Sequence, residues 1–201
     1  IGVNHDGSIA KAKKLIDVAV SAGADAVKFQ MCNPDEMVTK DAPKAEYQKH
    51  NKATESQYDM LKRYHFGVHE HRNLMAYAKK KRIIFFSTPF SLKDARELVK
   101  LHMPVLKVGS SDANNHPQLR VLASARVPII LSTGMCTLAE VKESITVLRK
   151  GGVKDIVVLH CTTAYPTADK DVNLKAMVTM RDVFHIPVGY SDHTLGTDVS
   201  I

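Results

Sequence analysis

The sequence predicts an α/β fold in which parallel strands close into most of a (β/α)8 TIM barrel, truncated at both ends. Short apolar runs alternate with amphipathic stretches along all 201 residues, which is the pattern of repeated strand–helix units. The runs are rich in Val, Ile and Phe with little polar alternation, as in parallel strands buried on both faces. Nearly every run ends in side chains able to do chemistry, and a barrel brings such ends to one mouth.

Seven apolar runs are predicted as strands. They are Ile1–Val3, Ala26–Gln30, Arg82–Ser87, Met103–Val108, Val127–Leu131, Asp155–Leu159 and Ile186–Tyr190. A complete barrel has eight strands and typically about 250 residues. We therefore expect a chain that starts inside the first strand, stops before the eighth, and forms a single partial catalytic domain over residues 1–201.

Helix-start signals lie between the predicted strands. Ser8 and Ser91 can each cap a helix, and Thr137 with Glu140 has the spacing of a capping box. A weaker helix is predicted over about residues 173–183.

Composition argues against several classes of protein. The formal charge is +7 and only 6% of residues are aromatic, and because the basic residues are scattered we do not predict nucleic-acid binding. No apolar run approaches the roughly 20 residues of a membrane span, and the first residues do not have a signal-peptide layout. The three cysteines are widely spaced, which argues against a disulfide framework and favours a cytoplasmic location. The basic charge is interpreted mainly as solvated lysines, and an anionic small substrate fits it as well.

Two lysines interrupt otherwise apolar strands, Lys28 in Ala-Val-Lys-Phe-Gln and Lys107 in Val-Leu-Lys-Val-Gly-Ser. A lysine is costly to bury unless it is paired or serves a ligand. The alternatives are a structural ion pair and a clamp for phosphate or carboxylate. Ser110, Ser132 and Ser191 lie at other strand ends beside small residues, where backbone N–H groups can approach an anion closely. Together they favour the clamp.

Histidines and an aspartate supply further candidates. His193 lies beside Asp192 just past the last predicted strand, so a metal ligand and a structural histidine are about equally favoured. His5 and His160 are candidates by strand-end position alone. The histidines within residues 65–71 are interpreted as solvated residues that cap an outer helix.

Asp112, in Gly-Ser-Ser-Asp-Ala-Asn-Asn, is a candidate acid, base or polyol ligand, and the alternative is a turn aspartate. Tyr165 either lines the site or packs beneath its loop. The cysteines are interpreted as inert.

Several short motifs occur in order along the chain. They are Asn4–Gly7, Gly23–Gln30, Thr39–Pro43, Ser87–Phe90, Lys107–Ser110, Asn114–Asn115, Ser132–Met135, His160–Thr162 with Tyr165–Pro166, and Gly189–Thr194. As a set they closely resemble the N-acetylneuraminate (sialic acid) synthase family, which includes the legionaminate and pseudaminate synthases.

The resemblance implies a transferase of carbohydrate biosynthesis that depends on a divalent metal, Mn²⁺ or Mg²⁺. Such an enzyme condenses phosphoenolpyruvate with an N-acetylated hexose, N-acetylmannosamine or a related sugar, to give a nine-carbon 2-keto sugar acid and phosphate. The full-length parent is expected to be a cytoplasmic homodimer.

The resemblance also implies roles for individual residues. Six match positions that hold phosphoenolpyruvate: Lys28, Thr88, Lys107, Ser110, Ser132 and Ser191. Three match positions that face the sugar: Gln30, Asp112 and Tyr165. His193 matches one of two metal histidines. Within this set, the catalytic role is expected of Lys28, Lys107, Asp112 and His193.

Parts of the family pattern are not present in this sequence. The second metal histidine is expected on an eighth strand, an acidic residue is expected before Ile1, and Thr163 stands where some members have asparagine. The small antifreeze-like C-terminal domain is expected beyond residue 201. We therefore expect this chain alone to be inactive.

Other functions stay open from the sequence. They are a deoxy-sugar-acid synthase that takes a phosphorylated sugar, a Schiff-base aldolase with Lys28 or Lys107 as the amine, and a non-catalytic fragment that binds a phosphorylated ligand. The sequence does not fix the acceptor sugar. The long polar connection over residues 31–66 is interpreted as a lid, a partner contact or a disordered segment.

Overall fold

The protein divides into two compact units. The structure is a computed structural model that describes residues 1–45, 48 and 55–201. The first unit is Ile1–Leu106 and the second is Lys107–Ile201. Among the described residues, no helix combines the length and the apolar character that crossing a bilayer requires.

The first unit is built around one parallel strand pair. Its elements are α1 (Ile9–Ser21), β1 (Ala26–Met31), α2 (Gln57–Tyr64), α3 (Val68–Lys80), β2 (Ile84–Pro89) and α4 (Leu92–Lys100). β1 and β2 pair in parallel. The core of the unit contains Ile16, Phe29, Leu74 and Leu98, all fully buried, and burying each such side chain stabilises the fold by about 1.5–3 kcal/mol.

The second unit is built around a sheet whose strands follow chain order. Its elements are β3 (Leu106–Val108), which enters the unit at Lys107, α5 (His116–Ala123), β4 (Ile129–Ser132), α6 (Leu138–Lys150), β5 (Ile156–His160), α7 (Lys175–Phe184) and β6 (Val188–Tyr190). The sheet order is β3-β4-β5-β6, and the β4–β5 and β5–β6 pairs are parallel. Leu119, Leu131, Leu148 and Val158 are fully buried.

The predicted strand at Ile1–Val3 is wrong. Gly2 and Asp6 have φ angles of 55° and 50°, which lie in the left-handed region and interrupt an extended strand. Residues 2–7 form turns. The N–H of Gly2 donates to the carbonyl of Lys28 at 3.2 Å. Because the backbone turns after this contact, it does not become part of a β-ladder. The other six predicted strands are confirmed, with ends shifted by a few residues.

The predicted helix caps are confirmed. The hydroxyl oxygens of Ser8 and Ser91 each accept a hydrogen bond from the N–H three residues further on, at 3.2 and 3.0 Å. Thr137 and Glu140 form the capping box, with the N–H of Thr137 2.7 Å from the Glu140 carboxylate. The weaker helix predicted near residue 173 is α7.

The connection over residues 31–66 is partly structured. It contains a 3-10 turn at Pro34–Glu36 and the whole of α2. The Glu55 carboxylate accepts hydrogen bonds from Lys44 at 2.8 Å and from Arg63 at 3.0 Å. Residues 46, 47 and 49–54 lie outside the described residues, so the interpretation of this connection as a lid stays a prediction.

Candidate active site

Three predicted site residues share one face of the first unit's strand pair. Gln30 lies opposite Thr88 in the parallel register, and Lys28 is two residues before Gln30, so its side chain points to the same face. The alternate residues Val27 and Phe29 are buried at 3% and 0% exposure. The first unit therefore brings Lys28, Gln30 and Thr88 together, with Gln30 and Thr88 at the carboxyl ends of their strands.

Lys28 is a cation with no counter-charge among the residues that the structure describes. Burial lowers the pKa of its ammonium group, because a low-dielectric environment disfavours the charged form. Among the described residues, no carboxylate and no hydrogen-bond acceptor pairs with this ammonium. An anionic ligand would supply the compensating charge that the described residues do not.

Ser87, adjacent to Thr88, faces the other way. Its hydroxyl lies 3.0 Å from Nε2 of His71, and Nδ1 of His71 lies 2.9 Å from the carbonyl of Gly67. A carbonyl can only accept, so Nδ1 carries the proton and Ser87 donates to Nε2. Both side chains are fully buried, and burial lowers the pKa of His71 to about 4. The interpretation of His71 as a solvated capping residue is wrong.

His5 is also a packed residue. Its ring stacks on Phe66 with centroids 3.9 Å apart, and its Nδ1 accepts a hydrogen bond from the N–H of Gly7 at 3.1 Å. The residue is 1% exposed, and burial lowers its pKa to about 4. We therefore assign His5 a structural role.

Lys107 and Ser132 join adjacent strands in the second unit. The Lys107 ammonium donates to Ser132 Oγ at 2.5 Å and to the carbonyl of Val108 at 2.7 Å. Each of the two residues is 5% exposed. Because Ser132 accepts from the ammonium, its own hydrogen is available to another acceptor. The pair therefore places a cation beside a hydroxyl donor at the ends of β3 and β4.

A second cluster joins the ends of β3, β4 and β5. The N–H of Gly134 donates to Ser110 Oγ at 3.1 Å and to Cys161 Sγ at 3.2 Å, and those two acceptors are 2.9 Å apart. A Cβ on Gly134 would lie 2.5 Å from Thr163 Oγ1 and 2.8 Å from the sulfur, so this close approach requires glycine. The sequence analysis did not predict that Cys161 lies beside Ser110. The glycine that follows Ser132-Thr133 was the available signal that two segments approach closely here.

Ser191 and His193 follow β6 and contact the end of β5. The N–H of Ser191 donates to the carbonyl of His160 at 2.8 Å. His193 Nδ1 lies 2.8 Å from the carbonyl of Thr162, and the His193 ring centroid is 4.4 Å from that of Tyr165. Tyr165 is 46% exposed. The second unit therefore brings His193 and Tyr165 together.

The hydrogen bonding of His193 is that expected of a metal-binding histidine. Its Nδ1 donates to a carbonyl, so Nε2 of the neutral ring keeps its lone pair, as in metal-bound histidines whose other nitrogen is held by a backbone carbonyl. Asp192 does not join it: its carboxylate accepts from the N–H of Thr194 at 2.8 Å and from the hydroxyl of Tyr190 at 3.1 Å. A third hydrogen bond comes from Ser200, and these bonds hold the pKa of Asp192 well below its usual range. Within the described part of the chain, no three His, Cys, Asp or Glu residues are gathered as a metal site.

Asp112 is half-buried in a turn. Its Oδ1 accepts from the Asn115 amide at 3.1 Å and its Oδ2 lies 3.2 Å from the Ser111 hydroxyl. These are the local contacts of a turn aspartate, and a carboxylate oxygen has lone pairs for a further donor.

His160 points to the opposite face from Ser132. Ser132 lies opposite Leu159 in the β4–β5 register, so the next residue, His160, faces the other side of the sheet. There its ring stacks with Tyr190, with centroids 5.7 Å apart. The structure therefore does not bring His160 to the Lys107–Ser132 pair.

Known proteins identify the family of this chain. A family model described as the NeuB family matches residues 15–201. The chain belongs to the NeuB family. It is 43% identical over 203 residues to the N,N'-diacetyllegionaminic acid synthase of Campylobacter jejuni, covering 100% of this chain and 61% of that protein. It is 45% identical over 200 residues to the Legionella pneumophila protein of the same name, covering 97% of this chain and 56% of that protein.

A solved structure supports the same placement. The crystal structure of N-acetylneuraminic acid (sialic acid) synthetase from Leptospira borgpetersenii matches with a TM-score of 0.84 and 31% identity, over 98% of this chain and 65% of that chain. The match confirms the predicted α/β fold of parallel strands and, with the family model, the predicted family. This NeuB-family chain spans roughly three-fifths of the length of the relatives it matches.

Proposed function

We propose that the protein containing this chain condenses phosphoenolpyruvate with an N-acetylated hexose, giving a nine-carbon 2-keto sugar acid and phosphate. The observation that carries the proposal is the half-buried, desolvated ammonium of Lys28, which has no counter-charge among the described residues. It shares a face with Gln30 and Thr88. An ammonium in this setting favours a small, highly charged anion, and phosphoenolpyruvate carries both a phosphate and a carboxylate.

The binding of phosphoenolpyruvate is assigned to cations and hydroxyl groups that the family resemblance indicates. The assigned residues are Lys28, Thr88, Lys107, Ser110, Ser132 and Ser191. The Lys107–Ser132 contact supports this assignment, because it fixes the ammonium in place and leaves the Ser132 hydrogen to donate. Groups that are fixed before the substrate arrives stabilise developing charge without reorganisation.

We assign the binding of the acceptor sugar to Gln30, Asp112 and Tyr165. In the proposed reaction the enol carbon of phosphoenolpyruvate attacks the open-chain aldehyde, water adds to the adjacent carbon, and phosphate leaves. Asp112 is half-buried, so its carboxylate can bind a sugar hydroxyl or hold a proton. The two relatives at 43% and 45% identity are named N,N'-diacetyllegionaminic acid synthases, which supports a diacetamido hexose as the first acceptor to test.

A divalent metal, Mn²⁺ or Mg²⁺, is assigned to Nε2 of His193. When bound, the metal supplies Lewis-acid polarisation of the sugar aldehyde. His193 is oriented for that role by its bond to the carbonyl of Thr162. For the full-length protein we further propose a cytoplasmic homodimer, which light scattering of the purified protein tests.

Product analysis of the full-length protein tests the reaction. The protein is incubated with phosphoenolpyruvate, Mn²⁺ and a panel of acceptors: N-acetylmannosamine, its 6-phosphate and a diacetamido hexose. We expect phosphate release coupled to a nine-carbon keto acid with at least one free sugar, and loss of turnover on chelation.

Two further results would support other functions, and a third would contradict the proposal. Turnover only with phosphorylated sugars that are not N-acetylated supports a deoxy-sugar-acid synthase. Borohydride trapping of a pyruvate adduct without metal supports a Schiff-base aldolase. Absence of product with every acceptor contradicts the proposal.

A further inference from the structure

The hydroxyl of Ser110 is held by two groups that sequence reasoning did not assign to the site. Its Oγ lies 3.1 Å from the N–H of Gly134 and 2.9 Å from Sγ of Cys161. Cys161 is a free cysteine with 6% exposure. The sulfur itself accepts from the same N–H at 3.2 Å. The three groups therefore form a closed triangle that fixes where the Ser110 oxygen lies.

Counting hydrogens and lone pairs shows what this triangle does. A serine hydroxyl has one hydrogen to donate and two lone pairs to accept with. The Gly134 N–H can only donate, so it occupies one lone pair of Ser110. If the Cys161 thiol also donates, both lone pairs are filled and the Ser110 hydrogen is left for a ligand. If Ser110 donates to sulfur instead, its hydrogen is not available to an anion.

An anion at Ser110 selects the first arrangement. A hydroxyl bond to an ionised oxygen is about twice as strong as a neutral one, whereas a thiol is only a weak donor and a weak acceptor. Turning the Ser110 hydrogen from sulfur to the anion therefore exchanges a weak bond for a strong one. The thiol hydrogen then takes the lone pair that the rotation exposes. No covalent bond forms or breaks in this exchange.

We propose that Cys161 is a positioning residue that directs the Ser110 hydroxyl hydrogen toward phosphoenolpyruvate. The inference rests on the proposed function, and it gives a role to a buried cysteine whose hydrogen bonds go to Ser110 and Gly134. It also explains why glycine stands at position 134, since the amide must approach oxygen and sulfur at the same time.

Steady-state kinetics of the full-length protein test this role. Cys161→Ala removes the thiol donor, and we expect a KM for phosphoenolpyruvate that is about five- to tenfold higher, the usual effect of losing one hydrogen bond. We expect kcat and the KM for the sugar to change less than about twofold, since the transition-state groups remain. Cys161→Ser keeps a donor and should restore most of the affinity. Cys136→Ala, which removes the other cysteine of the second unit, is the matched control.

A double-mutant cycle separates positioning from general packing. In a Ser110→Ala background, Cys161→Ala should add less than about twofold to the KM for phosphoenolpyruvate, because the group that it positions is gone. An undiminished effect in that background would overturn the inference. So would a Cys161→Ser variant as impaired as Cys161→Ala, or a Cys161→Ala variant indistinguishable from Cys136→Ala.

A measurement without substrate keeps this inference distinct from the proposed function. The amide proton shift of Gly134 in ¹H–¹⁵N spectra should change in both Cys161→Ala and Ser110→Ala. An unchanged shift in Cys161→Ala contradicts the triangle even if phosphoenolpyruvate binds. If the wild-type protein binds no phosphoenolpyruvate, both the proposed function and the role of Cys161 in directing Ser110 toward that anion fail. A changed amide shift would in that case show only that the hydrogen bonds of Gly134 to Ser110 and Cys161 exist.

Discussion

The ammonium of Lys107 donates to the hydroxyl of Ser132, with Nζ 2.5 Å from Oγ, at the ends of two adjacent strands. The hydroxyl fixes the position of the cation, and the cation leaves the hydroxyl hydrogen available to an incoming oxygen. A change at Ser132 should therefore affect both ligand binding and the stability of the second unit.

We expect Ser132→Ala to raise the KM for phosphoenolpyruvate about tenfold and to lower the free energy of unfolding by about 1 kcal/mol, because it removes a buried acceptor of Lys107. Kinetics and urea denaturation of the same preparation measure the two effects. Ser124→Ala, at an exposed serine that follows α5, is the control and should change neither quantity. A Ser132→Ala variant with wild-type affinity would contradict the assignment of this hydroxyl.

Lys28→Met should stabilise the protein and abolish binding of phosphoenolpyruvate. Replacing a desolvated charge that has no partner among the described residues by an apolar side chain of similar size removes a desolvation cost, and we expect a gain of about 1–2 kcal/mol at neutral pH. Urea denaturation measures the gain, and calorimetric titration measures the lost binding. Lys142→Met, at an exposed position of α6, is the control. Destabilisation by Lys28→Met would show that the ammonium is already compensated.

The stabilisation by Lys28→Met should depend on pH. Burial lowers the pKa of Lys28 in the folded state, so the unfolded chain binds more protons in the interval up to the ordinary lysine pKa of about 10.4. The wild type therefore regains stability as pH rises through that interval. The difference between Lys28→Met and wild type should be largest near neutrality and shrink toward pH 10. A difference that is constant with pH would contradict the cause that we assign.

The contributions of His71 and Ser87 to stability should be coupled. Ser87→Ala leaves Nε2 of His71 without its donor, and we expect a loss of about 1–3 kcal/mol. His71→Leu should cost a similar amount, because it leaves the Ser87 hydroxyl unpaired. The double variant Ser87→Ala with His71→Leu should cost less than the sum of the two, since replacing both partners by apolar groups is nearly neutral. Chemical denaturation of the four proteins measures the coupling, and strict additivity would refute it.

Acid should destabilise the first unit through its buried histidines. The pKa values of His5 and His71 are about 4 in the folded protein, below the ordinary value of about 6.5. The unfolded chain therefore takes up protons first as pH falls. Each histidine contributes stability that is fully present above about pH 6.5 and is lost toward pH 4, with a slope of at most about 1.4 kcal/mol per pH unit.

Denaturation between pH 7 and 4.5 measures this loss. The variant with Ser87→Ala and His71→Leu should show a shallower slope than the wild type. His69→Gln, on the same helix with a side chain that is 88% exposed, should keep the wild-type slope. Equal slopes for the double variant and wild type would contradict the assignment.

Gly134→Ala should damage the site through crowding. A Cβ at this position would meet Thr163 Oγ1 at 2.5 Å, so the loop must shift and the triangle around Ser110 must open. We expect at least a tenfold rise in the KM for phosphoenolpyruvate, and partial recovery when Thr163→Ala removes the nearest obstacle. Kinetics of the single and double variants decide the point. Failure of Thr163→Ala to recover any affinity would show that the obstacle lies elsewhere.

The sequence predicts those features that local chemistry decides. The capping residues Ser8 and Thr137 need only a hydroxyl three residues before a free N–H, so their patterns were sufficient. The buried parallel strands from β1 onward carry enough apolar residues to be recognised. Ile1–Val3 has the same composition, but its backbone turns through left-handed conformations that composition does not reveal.

Contacts between strands were harder to predict. Ser87 and Thr88 are adjacent and equally polar. Only the register of β2 with β1 shows which of the two side chains lies on the same face as Lys28 and Gln30. The partners of Cys161, Ser110 and Gly134, follow the two preceding strands, so its own sequence neighbourhood does not reveal them. That Lys28 and Lys107 bind the same ligand stays a prediction, and so does the role of residues 31–66.

The desolvated ammonium of Lys28 has a practical consequence for handling the protein. Sulfate, phosphate and citrate ions resemble the charged groups of the proposed substrate, so they should occupy the position beside Lys28 whenever they are abundant. Preparations made in such salts should melt at higher temperature and yet show weaker apparent affinity than preparations in chloride. The choice of buffer therefore has to be fixed before kinetic constants of different variants are compared.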